Sequence, residues 1–132
     1  MSTNRDPRPV LAGDIGGTKT YLGLFVPGKS RPSLQVMETF SSRGVKGLHQ
    51  IIEGFLEDKK VSIRSACFAI AGPVLDGRCR TTNLPWVVSE AHLMRRFQWP
   101  RVRLFNDLTA TVLAIPSLRG RELHVLHRGH RQ

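Results

Sequence analysis

The sequence predicts an α/β fold, and three observations support that prediction. Apolar runs of strand length alternate with turn residues in the first third of the chain. The apolar spacing then changes from the period of a strand to the period of a helix. After that point, expected strands and helices follow one another in turn. A chain of 132 residues is long enough for one domain with a modest core.

The first three expected strands cover residues 9–14, 20–26 and 34–40. Gly16-Gly17 separates the first two, and a Pro-Gly turn in residues 27–30 separates the second from the third. Connections this short favour an antiparallel meander.

Helical spacing follows the third strand, and Ser41-Ser42 precedes it as an expected cap. The apolar residues at that spacing are Val45, Leu48, Ile51, Ile52, Phe55 and Leu56. Residues 63–71 then form an apolar, β-branched run, which predicts a buried strand.

The second half of the chain continues the alternation. Asp76-Gly77 predicts a hairpin turn between Val74 and Cys79. The remaining expected elements are a short helix capped by Ser89 and ended by Trp99-Pro100, a strand over residues 102–105, and a helix from Asn106 to about Ile115.

The turn after the first strand has the composition of a phosphate-binding device. Gly16 and Gly17 carry no Cβ, so their backbone can adopt positive φ and bring N–H groups close to an anion. Asp14 could hold a hydrated Mg²⁺ against a phosphate. The alternative interpretation is an ordinary tight hairpin with a polar tip.

Three further segments, taken with residues 13–20, carry a family resemblance. They are residues 69–74 (AIAGPV), 81–86 (TTNLPW) and 104–110 (LFNDLTA). In this order the motifs resemble the amino-terminal half of bacterial glucokinases, which belong to the actin, hexokinase and heat-shock ATPase superfamily. The resemblance extends from about residue 11 to about residue 118 and implies a ribonuclease-H-like half-fold with a mixed sheet. It implies the phosphorylation of glucose, or a similar hexose, by ATP with Mg²⁺.

The resemblance also implies roles for individual residues. Asp107 is the candidate general base and contacts the attacking hydroxyl, while Asn106 and Asn83 are candidate sugar ligands. Asp14 is the candidate Mg²⁺ ligand, through water. The residues expected to face the nucleotide phosphates are Gly13, Asp14, Ile15, Gly16, Gly17 and Thr18.

Two of these assignments compete with simpler interpretations. Asn106-Asp107 is also an ordinary N-cap pair that needs no substrate to explain it. Trp86, close to Asn83, could support a pyranose ring or could pack under a loop.

Chain length limits the activity expected of these 132 residues. The family is typically more than twice as long, and its second lobe carries adenosine-binding loops, a second phosphate loop and further sugar ligands. No Glu-x-x-His segment of the family's kind occurs here. We expect a leader at residues 1–8, an amino-terminal lobe at 9–118, and a basic tail or truncated start of the second lobe at 119–132. We expect a truncated product, an isolated domain or the product of a frame-disrupted gene, and we expect it to be inactive alone.

Two non-enzymatic alternatives stay open at this point. A sugar-sensing or interaction module could keep the cleft wall without catalysis. A net charge of +10, with fifteen arginines, could serve a polyanion binder. The basic residues are spread along the chain, however, and no nucleic-acid motif accompanies them, so nucleic acid is not the expected partner.

The remaining features of the sequence concern its cellular setting. Cys67 and Cys79 lack the spacing of a zinc site. No secretory signal or long apolar run is present, which predicts a cytoplasmic protein that does not contact a membrane. The family resemblance allows a homodimer in the full-length proteins.

Overall fold

The computed structural model describes residues 6–126 and Gly129 and contains two sheets. The larger sheet has five strands in the order β3-β2-β1-β4-β8, and the smaller one has the order β5-β6-β7. The strands are β1 (Val10–Ile15), β2 (Lys19–Val26), β3 (Ser33–Ser41), β4 (Ser65–Ile70), β5 (Val74–Leu75), β6 (Arg78–Arg80), β7 (Val87–Ser89) and β8 (Val102–Asn106).

Antiparallel and parallel pairing both occur in the larger sheet. β1, β2 and β3 pair antiparallel, as the short connections predict. β1 pairs with β4, and β4 with β8, in parallel. The sheet is therefore mixed, and the carboxyl ends of three strands meet at one edge.

Within the described part of the chain, three α-helices accompany the sheets: α1 (Leu48–Leu56), α2 (Glu90–Phe97) and α3 (Asp107–Ala114). The expected cap of α2 is confirmed, because the Ser89 hydroxyl accepts a hydrogen bond from the His92 N–H at 3.3 Å. The expected cap of α1 is wrong. Gly47 occupies that position without a side-chain bond, and Ser42 is buried elsewhere.

The smaller sheet contains the hairpin that Asp76-Gly77 predicts. Asp76 has φ 49° and Gly77 has φ 68°, the two positive values of a type I′ turn. β7 was not predicted, since three residues are too few to show an alternating pattern.

The core lies on one face of the larger sheet, between that face and the first two helices. Its most deeply buried side chains are Leu11, Leu22, Ile52, Phe55, Phe68 and Ile70. α3 contacts β4 and β8 and has no buried residue. Two short 3-10 helices, Ile115–Ser117 and Gly120–Glu122, follow α3.

Both proposed terminal segments fall partly outside the described residues. Residues 1–5 of the expected leader, and residues 127, 128 and 130–132 of the expected basic tail, lie there. Of the rest of the tail, Glu122 forms an ion pair with Arg31 at 3.2 Å.

Candidate functional site

The ends of the three parallel strands form the edge at which the candidate residues meet. In the strand register, Ile15 of β1 lies beside Ile70 of β4, and Ile70 lies beside Asn106 of β8. Asp14 precedes the first of these residues and Asp107 follows the last. Since β4 lies between the other two strands, the Asp14 and Asp107 positions are separated by about 10 Å across the sheet and by two residues along the strand direction.

The tip between β1 and β2 consists of residues 16–18. The Gly16 N–H donates to the Lys19 carbonyl at 3.0 Å and closes the turn. The N–H groups of Gly17 and Thr18 have no hydrogen-bond acceptor within residues 6–126. Both are therefore available to an anion, a role that backbone N–H groups perform in phosphate-binding turns.

The reason for the two tip glycines differs from the expected one. Neither Gly16 nor Gly17 has positive φ, so that expectation is wrong. Glycine is required at both positions because neighbouring atoms lie too close to the backbone to leave room for a Cβ. A Cβ added to Gly16 would lie 2.9 Å from the Lys19 carbonyl oxygen, and one added to Gly17 would lie 2.8 Å from the Asn83 Cβ.

Asn83 is exposed, and its Cβ packs against Gly17 at the tip. The loop that carries Asn83 is held by two threonine hydroxyls. Thr81 donates to the Leu84 carbonyl at 2.7 Å, and Thr82 donates to the Ala71 carbonyl at 3.3 Å. The structure thus joins the first and third motifs of the sequence through direct packing.

A buried pair of hydroxyls below the tip was missed in the sequence analysis. Thr20 Oγ1 and Ser42 Oγ lie 2.8 Å apart, and Ser42 donates to the Gly16 carbonyl at 2.7 Å. The Ser42 N–H also donates to the Thr18 carbonyl at 2.9 Å. One signal was available: Thr20 occupies an inward position of an alternating strand, and a buried hydroxyl needs a partner.

Asn106 and Asp107 form the junction between β8 and α3. Asn106 Nδ2 donates to the Gly72 carbonyl at 2.9 Å, and its Oδ1 accepts from the Leu108 N–H at 3.0 Å. Asp107 is exposed, and its Oδ1 accepts from the same N–H at 2.9 Å. Asn106 is the N-cap of α3, and Asp107 is the first residue of the helix. The Asp107 carboxylate remains open to solvent.

Gly72 links this junction to the end of β4. Its φ of 134° favours glycine, and an added Cβ would lie 3.0 Å from the Arg80 carbonyl oxygen. The Gly72 backbone is therefore fixed, and so is the carbonyl that orients Asn106.

The remaining predicted residues of the first motif lie in β1. Asp14 is exposed and Ile15 is buried. Gly13 provides space for the core, because an added Cβ would lie 2.6 Å from Phe68 and 2.8 Å from Leu22. Within residues 6–126 and Gly129, no group of three or more His, Cys, Asp or Glu side chains could hold a metal. The single exposed carboxylate of Asp14 suits a cation that is held through water, the role that the family resemblance implies for this residue.

Trp86 packs in the interior, which decides between its two interpretations. Its ring is 2% exposed, and Nε1 donates to the Val45 carbonyl at 3.3 Å. The indole therefore supports the loop and cannot present a face to a sugar.

Comparison with known proteins identifies the family of this chain. The glucokinase family model matches residues 11–132. The chain belongs to the glucokinase family.

Individual glucokinases agree with this assignment. The glucokinase of Synechocystis sp. is 39% identical over 127 residues, which cover 88% of this chain and 36% of the relative. A crystal structure of glucokinase from an Antarctic psychrotroph superimposes with a TM-score of 0.83 at 26% identity, over 95% of this chain and 40% of that one.

A more distant structure shares the fold. A ROK family glucokinase from Streptomyces griseus, solved in complex with glucose and AMPPNP, has a TM-score of 0.59 at 19% identity. It covers 79% of this chain and 35% of the other. The expected actin-like half-fold is confirmed.

The chain spans about 36% of the length of the Synechocystis glucokinase. Among the helices that the structure describes, none is long and apolar enough to cross a membrane.

Proposed function

We propose that this chain forms the amino-terminal part of a glucokinase that transfers the γ-phosphoryl group of ATP to glucose. One observation carries the proposal. The edge formed by β1, β4 and β8 holds a turn with free N–H groups at one end and an exposed carboxylate at a helix start at the other. Family membership over residues 11–132 supplies the reaction class.

Asp107 is the proposed general base. Its Oδ1 is occupied by the Leu108 N–H, and Oδ2 accepts no hydrogen bond from the described residues. The start of α3 stabilises negative charge at this position. Oδ2 takes the proton of the attacking sugar hydroxyl while the hydroxyl oxygen bonds to the γ-phosphorus and ADP departs.

Asn106 is a proposed sugar ligand that can only donate a hydrogen bond to the sugar, although an amide side chain can in general both donate and accept. One hydrogen of its amide is used by the Gly72 carbonyl, and its oxygen is used by the Leu108 N–H. The second amide hydrogen is left to donate to a sugar hydroxyl. Because both existing bonds fix the amide plane, this donor is oriented before the sugar arrives.

Asn83 completes the proposed sugar-binding wall. It is exposed, and its Cβ packs against the Gly17 backbone. A sugar held here would contact a residue that also fixes the position of the phosphate turn, which favours alignment of the two substrates.

The tip and Asp14 fit the phosphates and a Mg²⁺ ion. The free N–H groups of Gly17 and Thr18 suit phosphate oxygens, and the exposed Asp14 carboxylate suits a water ligand of the cation. Gly13, Ile15 and Gly16 serve this site by shaping the strand and its turn. When bound, Mg²⁺ neutralises charge on the phosphates.

A chimaeric enzyme tests the proposed function. Residues 11–118 replace the matching stretch of the Synechocystis glucokinase, and a coupled assay follows ADP release with glucose. We expect turnover in the usual enzyme range, about 1 to 10³ per second. The 132-residue chain alone is expected to stay at background, because phosphoryl transfer requires both substrates to be positioned and water to be excluded.

Two measurements keep this test decisive. Circular dichroism and gel filtration establish that the chimaera is folded, and the parent enzyme gives the reference rate. A folded chimaera with less than 1% of the parent's turnover would contradict the proposed function.

A further inference from the structure

A cavity lies apart from the sheet edge that carries the candidate catalytic residues. Its volume is about 380 Å³, and it opens between the start of α1, the middle of α2 and the strands β6 and β7. Asp14, Asn83, Asn106 and Asp107 do not line it. Its size is that of sites for small organic molecules, which begin at about 300 Å³.

Five basic or imidazole side chains line this cavity, and they come from three separate elements: the start of α1, β6 and α2. They are Lys46, His49, Arg78, His92 and Arg95. The lining includes no carboxylate among the residues that the structure describes. Lys46, Arg78 and Arg95 form no ion pair within residues 6–126.

Two arginines close to the cavity lie beside carboxylates. Arg96 forms an ion pair with Glu53, and Arg103 lies 3.9 Å from Glu90. The three basic side chains that line the cavity thus have no carboxylate partner within residues 6–126, whereas these two paired arginines lie outside the lining. A site of this composition attracts anions.

The two histidines of the cavity lining, His49 and His92, lie close to each other and to other positively charged side chains. Their rings lie 6.2 Å apart at 76°. Burial, assisted by the charges of Arg96, His92 and Lys46 and opposed by Glu53, lowers the pKa of His49. Cations therefore dominate the charge around the His49 ring.

Apolar walls accompany the charges. Pro85 and Val87 line the cavity and are exposed, while Trp86 and Leu93 border it but are almost fully buried. Inorganic phosphate alone would leave this apolar surface without a contact. An organic molecule that carries phosphate groups would use both the charges and the walls, and Arg suits phosphate through its paired N–H donors.

We propose that this cavity binds a small organic phosphate, at a site separate from the candidate catalytic edge. Lys46, Arg78 and Arg95 contact the phosphate oxygens, and the two imidazoles donate further hydrogen bonds. Pro85 and Val87 contact the organic body.

Titration of the 132-residue chain with fructose 1,6-bisphosphate, followed by amide resonances in NMR, tests the proposal. We expect saturable shifts that include His49, His92 and Arg95. The dissociation constant should lie at least about tenfold below that for sulfate, a difference that one charge-assisted hydrogen bond can provide.

Two matched double variants distinguish binding in the cavity from attraction to the net positive charge of the chain. Lys46→Gln/Arg95→Gln removes two positive charges from the cavity. Lys60→Gln/Arg101→Gln removes two charges from exposed residues outside it. We expect the first to weaken binding about tenfold or more and the second less than about threefold. Circular dichroism checks that both variants are folded.

Three outcomes would overturn the proposal. One is the absence of saturable shifts at these residues in the folded wild-type chain. The second is equal weakening by the two double variants, which would indicate attraction to net charge alone. The third is tighter binding of a single-stranded oligonucleotide than of the bisphosphate at the same residues, which would assign the cavity to nucleic acid.

Discussion

The tip between β1 and β2 depends on two residues without side chains and on one buried hydroxyl. Gly17 allows the Asn83 Cβ to pack directly on the turn. Ser42 fixes the turn from below through the Gly16 and Thr18 carbonyls. The position of the phosphate turn is therefore determined by contacts from distant parts of the chain.

Gly17→Ala should destabilise the chain by about 1–3 kcal/mol, because the new methyl group overlaps the Asn83 Cβ. Urea unfolding measures the change. Gly54→Ala is the matched control. A Cβ there meets no atom within 4 Å, and Ala is the better residue inside α1, so this variant should gain about 0.5–1 kcal/mol. Equal effects of the two variants would contradict the packing argument.

Ser42→Ala should cost about 1–3 kcal/mol, because it leaves the buried Thr20 hydroxyl and the Gly16 carbonyl without their partner. The adjacent Ser41→Ala serves as control, since Ser41 is exposed and bonds only to Arg43. Its change in unfolding free energy should stay within about 0.5 kcal/mol. Equal losses of stability in the two variants would contradict the role assigned to the buried Ser42 hydroxyl.

Among the elements, α2 connects the two sheets. It begins directly after β7, and the Glu90 carboxylate accepts a hydrogen bond from the Leu104 N–H of β8 at 2.8 Å. β8 is the last strand of the larger sheet, and this bond satisfies one backbone donor at its open side. A carboxylate at this position protects the strand from pairing with another chain.

The packing of α1 against α2 makes stability depend on pH. Burial is the main cause that lowers the pKa of His49 from 6.5, with Arg96, His92 and Lys46 acting in the same direction. The unfolded chain therefore binds the proton more tightly than the folded chain does. This contribution to stability is present above about pH 6.5 and is lost as the pH falls through the lower folded pKa.

Urea midpoints at pH 8, 6 and 5 measure that dependence. His49→Gln should reduce the loss between pH 8 and pH 5, while the control His124→Gln, at an exposed position, should leave it unchanged. A profile for His49→Gln as steep as that of the wild-type chain would contradict the role assigned to burial. The opposing charge of Glu53 is present in all three proteins.

At the scale of the whole molecule, the surface around α3 is apolar and exposed. Leu108, Val112 and Leu113 have exposed fractions of 74%, 63% and 58%. Apolar patches of this kind bind other surfaces. The isolated chain should therefore self-associate at high concentration and show a melting temperature that changes with concentration.

Sedimentation and thermal melting across a range of protein concentrations measure the association. Val112→Lys should shift the chain toward monomer without loss of secondary structure, because its side chain packs on nothing in the core. Lys60→Gln at a polar exposed site serves as control. A sharp, concentration-independent melt of the wild-type monomer would contradict the prediction.

Local patterns predicted much of this fold. Alternating apolar residues predicted the first meander, Asp76-Gly77 predicted a hairpin, and Ser89 predicted the start of α2. Those features depend on near neighbours in sequence. The packing of Asn83 on Gly17, and the burial of Ser42 against Thr20, depend on residues more than twenty positions apart. No local pattern encodes such contacts, so the reason for the glycines and the partner of Ser42 were both missed.

For the candidate site, the sequence predicted the residues but not the contacts between them. The family motifs identified Asp14, Asn83, Asn106 and Asp107, whose roles stay proposals. The structure adds that the Asn106 amide is already bonded on two sides. It also brings the phosphate turn and the sugar-binding wall into contact at Gly17. The contacts of Asn106 with Gly72 and of Asn83 with Gly17 join segments far apart in the sequence, so they form only in the assembled fold.

The rate of Asp107→Asn in the active chimaera tests the central claim most directly. Asn at this position can still accept the hydrogen bond from the Leu108 N–H, so the variant should fold, but it cannot accept the proton of the sugar hydroxyl. We predict that kcat falls by about 10² to 10⁴, while KM for glucose changes little because the amide still forms a hydrogen bond. A folded Asp107→Asn chimaera with near-normal kcat would reduce Asp107 to a helix cap and contradict the proposed mechanism.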